Sequence, residues 1–297
     1  IFLWDLSNGG RGTLRALTQG NARSESPSID DFGGGVVFSS YATDLIANDQ
    51  NGVSDIFYLG LATGLETSDS GPYLVNLPNI NVQTLSGDTQ AQGGNSEQPE
   101  ISGDGSTVVY RSKASNLVNL KGISVVEVVN GGAGYFGSPT VLVSDAGSTG
   151  SGALLSIENA FDVYGQLEEG GVAILNHGQN YSNPTVSIIS DPTQPSPTQE
   201  ATLQAHLTHP GGELYTIRVD EVIGTNNSPD YSIRITETDG VGADRATFNP
   251  SISYDGTTVV YSTKSSNLLN RQVTRPDGQT YFNTPVKQAQ ASAILVG

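Results

Sequence analysis

The sequence predicts an all-β fold in which one strand-rich unit recurs and a smaller β module is inserted between its copies. Three observations predict it. The 297 residues include 36 Gly and 14 Pro, with 36% hydrophobic residues, a mix that suits short strands joined by tight turns rather than long helices. Ala, Leu, Glu and Lys never gather into a window with helical periodicity. Three stretches repeat one pattern: SPSIDDFGGGVVFSSYATDL (26–45), QPEISGDGSTVVYRSKASNL (98–117) and NPSISYDGTTVVYSTKSSNL (249–268). Each reads Pro-x-Ile, a polar turn, Val-Val-aromatic, a short polar run, then Asn or Asp before Leu.

The pattern has a physical logic. Pro27, Pro99 and Pro250 are expected at the start of a strand, where a missing N–H is tolerated. Asp104-Gly105 and Asp255-Gly256 are tight-turn dipeptides. The Val-Val-Tyr or Val-Val-Phe run predicts a buried strand, so each unit opens with a hairpin. A third strand is expected at 55–59, 213–217 and 293–296. The opening Ile1–Leu6 has the look of such a strand from a preceding unit.

These residues resemble the TolB-like, or WD40-like, β-propeller repeat of bacterial periplasmic and secreted proteins. The run DLIANDQNGVSDIFY (44–58) is similar to the extracellular version of that family. The resemblance implies a partial β-propeller, its first part in residues 1–121 and its second in 211–297, interrupted by an inserted module in 122–210. About three blades are visible, fewer than the four to eight of a closed ring. The expectation is that sequence outside this chain, or another subunit, supplies the rest.

The insert carries its own two-fold repeat, VVEVVNGGAGYFGSPTVLV (125–143) and GVAILNHGQNYSNPTVSII (171–189). This frame is similar to the Gly- and Tyr-rich β repeats of large bacterial and phage surface proteins. Tyr135 and Tyr181 are expected to pack between strands, with carbohydrate stacking as the alternative. Asp191 to Gln199, with its three prolines, reads as a surface loop.

Charge narrows the function classes. The net charge is −17, and no Lys or Arg occurs from Gly122 to Ile217. Nucleic-acid binding and attachment to an anionic membrane both need clustered positive charge, so both are disfavoured. No apolar run reaches the length of a membrane span. With no Cys there are no disulfides or thiolate metal sites, which is compatible with an exported bacterial protein.

The strongest metal candidate is the loop Asn48 to Asp55. Asp49, Asn51 and Asp55 offer hard oxygen ligands at close spacing, and Gly52 permits a sharp turn, as Ca²⁺ prefers. The competing reading is an Asx-rich turn that bonds its own backbone. The other two units do not repeat this loop. His206-x-x-His209 is a weaker candidate, because its surroundings read as strand and loop. No nucleophile elbow, P-loop or dinucleotide fingerprint is present, so the chain is expected not to be an enzyme.

The sequence therefore points to an extracellular or cell-surface structural or adhesive protein that self-associates through edge strands. The alternative is a periplasmic or secreted scaffold that binds protein or carbohydrate.

Overall fold

The computed structural model describes residues 1–6, 12–47, 49–61, 70–77, 90–118, 122–146, 150–157, 160–207, 209, 211–223, 232–238, 241–243, 245–265, 268, 272–274, 280–282 and 290–295. The architecture is all-β and β-propeller-like, made of many small antiparallel sheets. A two-stranded ribbon comes first, β1 (Phe2–Asp5) against β2 (Thr13–Ala16). The first repeat unit then builds a four-stranded meander from β3 (Ser24–Ile29), β4 (Gly35–Ser40), β5 (Asp55–Gly60) and β6 (Ser70–Leu74).

The second unit begins in the same way with β7 (Ser96–Ile101) and β8 (Thr107–Ser112). The chain then leaves the sheet for six strands: β9 (Val125–Asn130), β10 (Thr140–Ser144), β11 (Ser151–Ser156), β12 (Ala173–Gln179), β13 (Thr185–Ile189) and β14 (Thr202–His206). It returns at β15 (Glu213–Arg218), which pairs with β8 along its whole length. After the single turn of α1 (Val219–Val222), β16 (Ile233–Arg234) completes this second four-stranded sheet. A short pair, β17 (Glu237–Thr238) and β18 (Val241–Gly242), leads to the third unit. There β19 (Thr247–Ile252) and β20 (Thr258–Thr263) form the hairpin. The pair β21 (Gln272–Thr274) and β22 (Thr280–Phe282) precedes β23 (Gln290–Leu295), which adds to β20.

The three sheets stack through a fixed division of side chains. In β4, Val36 and Phe38 face one way, with Phe57 and Leu59. Val37 faces the other way, with Ile56 and Val75, and meets Val108, Tyr110 and Tyr215 of the second sheet. Val109 and Leu214 of that sheet in turn meet Val259 and Tyr261 of the third. In every unit, therefore, the first Val and the aromatic point back to the preceding element, and the middle Val points forward. Cross-strand aromatic pairs recur at the matching register: Phe38 on Phe57 and Tyr110 on Tyr215, each with centroids 5.8 Å apart.

The inserted strands pair as β9–β14, β10–β13 and β11–β12. Each ribbon takes one strand from each copy of the internal repeat, in the order first with third, second with second, third with first. The pseudo-symmetric ribbons enclose their own core around Tyr135, Leu167, Tyr181 and Ile188.

One expectation needs correcting. Pro27, Pro99 and Pro250 do not begin their strands; they sit within β3, β7 and β19. A register shift falls at the same place in each hairpin. The residues just before the prolines, Ser26, Gln98 and Asn249, have φ of 53°, 53° and 52°. A bulge lifts the proline out of the ladder, where its missing N–H leaves no hydrogen bond unmade.

The bulge also gives a prediction. A left-handed non-glycine residue costs about 1–2 kcal/mol, and glycine gives back about 0.5–1 kcal/mol of that through its looser unfolded state. Ser26→Gly should therefore stabilise the fold by roughly 0.5–1 kcal/mol. Ser26→Val should destabilise it. Denaturant unfolding midpoints of the two variants check the sign.

Candidate functional site

The loop before β5 brings all three predicted ligand residues together. Gly52 adopts φ 70° with open space around it, as the expected sharp turn requires. Asp49 is 7% exposed and Asp55 is fully buried. Asn51 lies between them. Its Nδ2 donates to Asp55 Oδ2 at 2.8 Å and to the Ala91 carbonyl at 3.0 Å, while its Oδ1 accepts the Val53 N–H at 3.1 Å. The loop is thus an Asx turn as well as an acidic cluster. Asn76, which the sequence reading missed, donates from Nδ2 to Asp55 Oδ1 at 2.7 Å and accepts the Ile56 N–H at 2.8 Å. Asp49 Oδ1 is buried with no hydrogen-bond partner.

Burial pushes the Asp55 carboxyl up to about 6, against the smaller opposing effect of the two asparagine amides; Asp49 adds repulsion. Burial also raises Asp49, partly offset by the Asn51 N–H. The equivalent acid in the second sheet is handled differently. Glu213 opens β15 as Asp55 opens β5, and it forms an ion pair with Arg234 at 3.2 Å, both side chains being buried.

The histidines do not assemble. His177 Nδ1 lies 2.7 Å from the Ile123 carbonyl. His206 Nε2 meets Glu127 at 3.0 Å, and His209 Nδ1 accepts the Gly211 N–H at 2.8 Å. Among the described residues no group of three or more His, Cys, Asp or Glu converges, and no helix is long and apolar enough to cross a membrane.

Tyr135 and Tyr181 pack inside the insert, as expected, and their burial removes them as stacking platforms for a sugar. Each hydroxyl accepts a backbone N–H from another strand region, Tyr135 from Ala201 at 2.9 Å and Tyr181 from Ala153 at 3.1 Å. The exposed aromatic pair lies elsewhere. Phe32 and Tyr254 meet edge to face at 6.1 Å, on the hairpin turns of the first and third sheets. The three turns are tied in series, Asp31 N–H to the Gly103 carbonyl and Asp104 N–H to the Tyr254 carbonyl.

Among the described residues, both ends of the stack expose apolar side chains. Val260, the middle valine of the third unit, is 47% exposed, whereas Val37 and Val109 are fully buried. At the other end, Ile1 and Leu17 flank the β1–β2 ribbon and pack on the rear cluster of the first sheet. The register places Trp4 opposite Leu14 and Phe2 opposite Ala16, hence on one ribbon face. Phe2 is 71% and Trp4 56% exposed there.

No family model matches the chain. No curated protein matches it either. Among solved structures, it is similar to a chain from Agrobacterium tumefaciens provisionally named TolB, with 16% identity over 96% of this chain and 94% of that one, and a TM-score of 0.22. A likeness at that level carries no argument, and the fold rests on the strand pairings.

The buried Asp55 makes stability depend on pH. Its folded value of about 6 lies above the ordinary 3.8, so its contribution is full below about pH 4 and is lost as pH rises through about 6. A shift of this size is worth about 3 kcal/mol. In chelator, the stability of the wild type relative to Asp55→Asn should fall by up to that amount between about pH 4 and pH 7. Paired denaturant titrations at each pH check it.

Proposed function

We propose that the chain is a structural scaffold that associates with further copies of itself through the two open faces of its sheet stack, in an extracellular or cell-surface setting. The observation that carries this reading is the division of side chains between sheets. Every forward-facing middle valine but Val260 is covered by the back of the next sheet. Every described backward face is apolar, and the rearmost described element, the β1–β2 ribbon, exposes Phe2 and Trp4. Front and back are different surfaces, so contact between copies is head to tail, and it gives a ring or a filament according to the rotation between neighbours. A surface of this kind, with large apolar side chains uncovered, marks an interaction site. The acidic balance of −17 supports solubility of the free chain, and the lack of Cys fits export.

The test is mass in solution over a wide concentration range, by light scattering or sedimentation. Species larger than the 31.0 kDa chain should grow in with concentration. Trp4→Asp and Val260→Asp should each weaken association by about 30-fold or more, as loss of a central apolar anchor does. A monodisperse monomer at all concentrations sinks the proposal.

A second reading, a carbohydrate-binding scaffold, is favoured by the exposed Phe32–Tyr254 pair beside Asp31 and Asp255. Aromatic faces flanked by carboxylates suit a sugar. Glycan-array binding that Tyr254→Ala abolishes would support it, and an array without signal would remove it.

A further inference from the structure

We infer that Asp49 and Asp55 hold a divalent cation of the calcium class at the start of β5, supplying there the positive charge that Arg234 supplies in the second sheet. The comparison between sheets carries the inference. The two sites are superposed by their own hydrogen bonds. The Ile56 N–H donates to Asn76 Oδ1, and the Leu214 N–H to Thr236 Oγ1. The Val75 N–H bonds to the Ile56 carbonyl, and the Ile235 N–H to the Leu214 carbonyl. Phe57 pairs with Leu74 as Tyr215 pairs with Arg234. Asp55 therefore corresponds to Glu213, and Leu74 to Arg234.

In the second sheet one buried carboxylate meets one buried guanidinium. In the first sheet the guanidinium is replaced by leucine, and a second buried carboxylate, Asp49, has been added. The sequence has no Lys, Arg or His between Arg23 and Arg111, so this segment brings no cation of its own to the site. Among the described residues neither acid is in an ion pair. Two buried acids without a counter-charge are costly to ionise.

The donor set identifies the cation. Asp49 Oδ1 is buried and unpartnered. Among the described residues, the Asp55 carboxylate is held only by the amide nitrogens of Asn51 and Asn76. Carboxylate oxygens on an irregular loop, with water completing the shell, are what Ca²⁺ accepts in its shell of six to eight oxygens; Mg²⁺ demands a stricter octahedron. There is no sulfur or imidazole to favour a transition metal.

The experiment uses the whole chain, stripped with chelator and titrated calorimetrically with Ca²⁺ alone, then with Mg²⁺ alone. The expected result is one Ca²⁺ per chain, bound at least tenfold more tightly than Mg²⁺. The near-isosteric Asp49→Asn should weaken Ca²⁺ binding at least tenfold. Leu74→Arg, which restores the arrangement of the second sheet, should weaken it similarly, and circular dichroism checks that each variant keeps its fold. Asp255→Asn, in an exposed turn, should bind like the wild type. The inference is overturned by no saturable heat at millimolar Ca²⁺, by Asp49→Asn and Leu74→Arg both binding like the wild type, or by Asp255→Asn losing as much affinity as Asp49→Asn, which would mean diffuse attraction to an acidic chain.

Discussion

A strand that is apolar on both sides needs two covers, and this constraint shapes the sheet stack. Val36, Val37 and Phe38 occupy consecutive positions of β4, so alternation sends them to opposite faces, and all three are buried. The same holds for Val108, Val109 and Tyr110 in β8. Burying each such side chain is worth about 1.5–3 kcal/mol. An exposed ion pair such as Arg23 with Glu25 is screened by solvent and adds little. Apolar burial therefore decides that the sheets stack, and the repeat passes the requirement for a further cover along to each end.

The same constraint explains why the second sheet tolerates a long excursion between β8 and β15. The insert closes on itself before it returns. The Ser124 N–H bonds to the His206 carbonyl, and Ser124 Oγ donates to the Leu207 carbonyl at 3.0 Å. Entry and exit are thereby held side by side, so the parent sheet meets little more than a wide hairpin loop. Loop-closure entropy grows only slowly with length, and a core centred on Tyr135 and Tyr181 offsets the ordering of the inserted residues.

Much of this was legible in the sequence because it is local and periodic. The three hairpins, the third strands near 55–59 and 213–217, and the two-copy insert all follow from side-chain alternation, turn dipeptides and self-similarity. The proline position was misread because a bulge leaves the alternation on either side intact. Its only trace is that the same Pro-x-Ile recurs where a plain strand needs no proline. The metal candidate was legible as spacing, but its surroundings were not. Asn76 and Arg234 each lie 21 residues from the acids they contact, and no short-range pattern points to them. The middle valine looks identical in all three units, yet Val260 differs in exposure because its cover is a matter of what stacks next.

The acid at the start of the third strand also bears on how the sheets find their register. Apolar faces are non-directional and would allow neighbouring sheets to slide. Between the first and second sheets a buried polar seam prevents this. Asn76 Nδ2 bridges Asp55 Oδ1 and Ser96 Oγ, Ser96 Oγ lies 2.9 Å from Ser112 Oγ, and the Ser96 N–H bonds to the Ser54 carbonyl. Sliding either sheet by one residue would strand these groups without partners, at about 1–3 kcal/mol for each. A carboxylate suits the junction because its two oxygens receive both amides at once. Its charge is then the cost of the device, and Asp55 and Glu213 show two surroundings for one requirement. With Arg234 the charge is answered inside the sheet; with Asp49 alongside it is doubled instead. A repeat that keeps its geometry while changing the compensating charge has separated the structural task of that position from its chemistry.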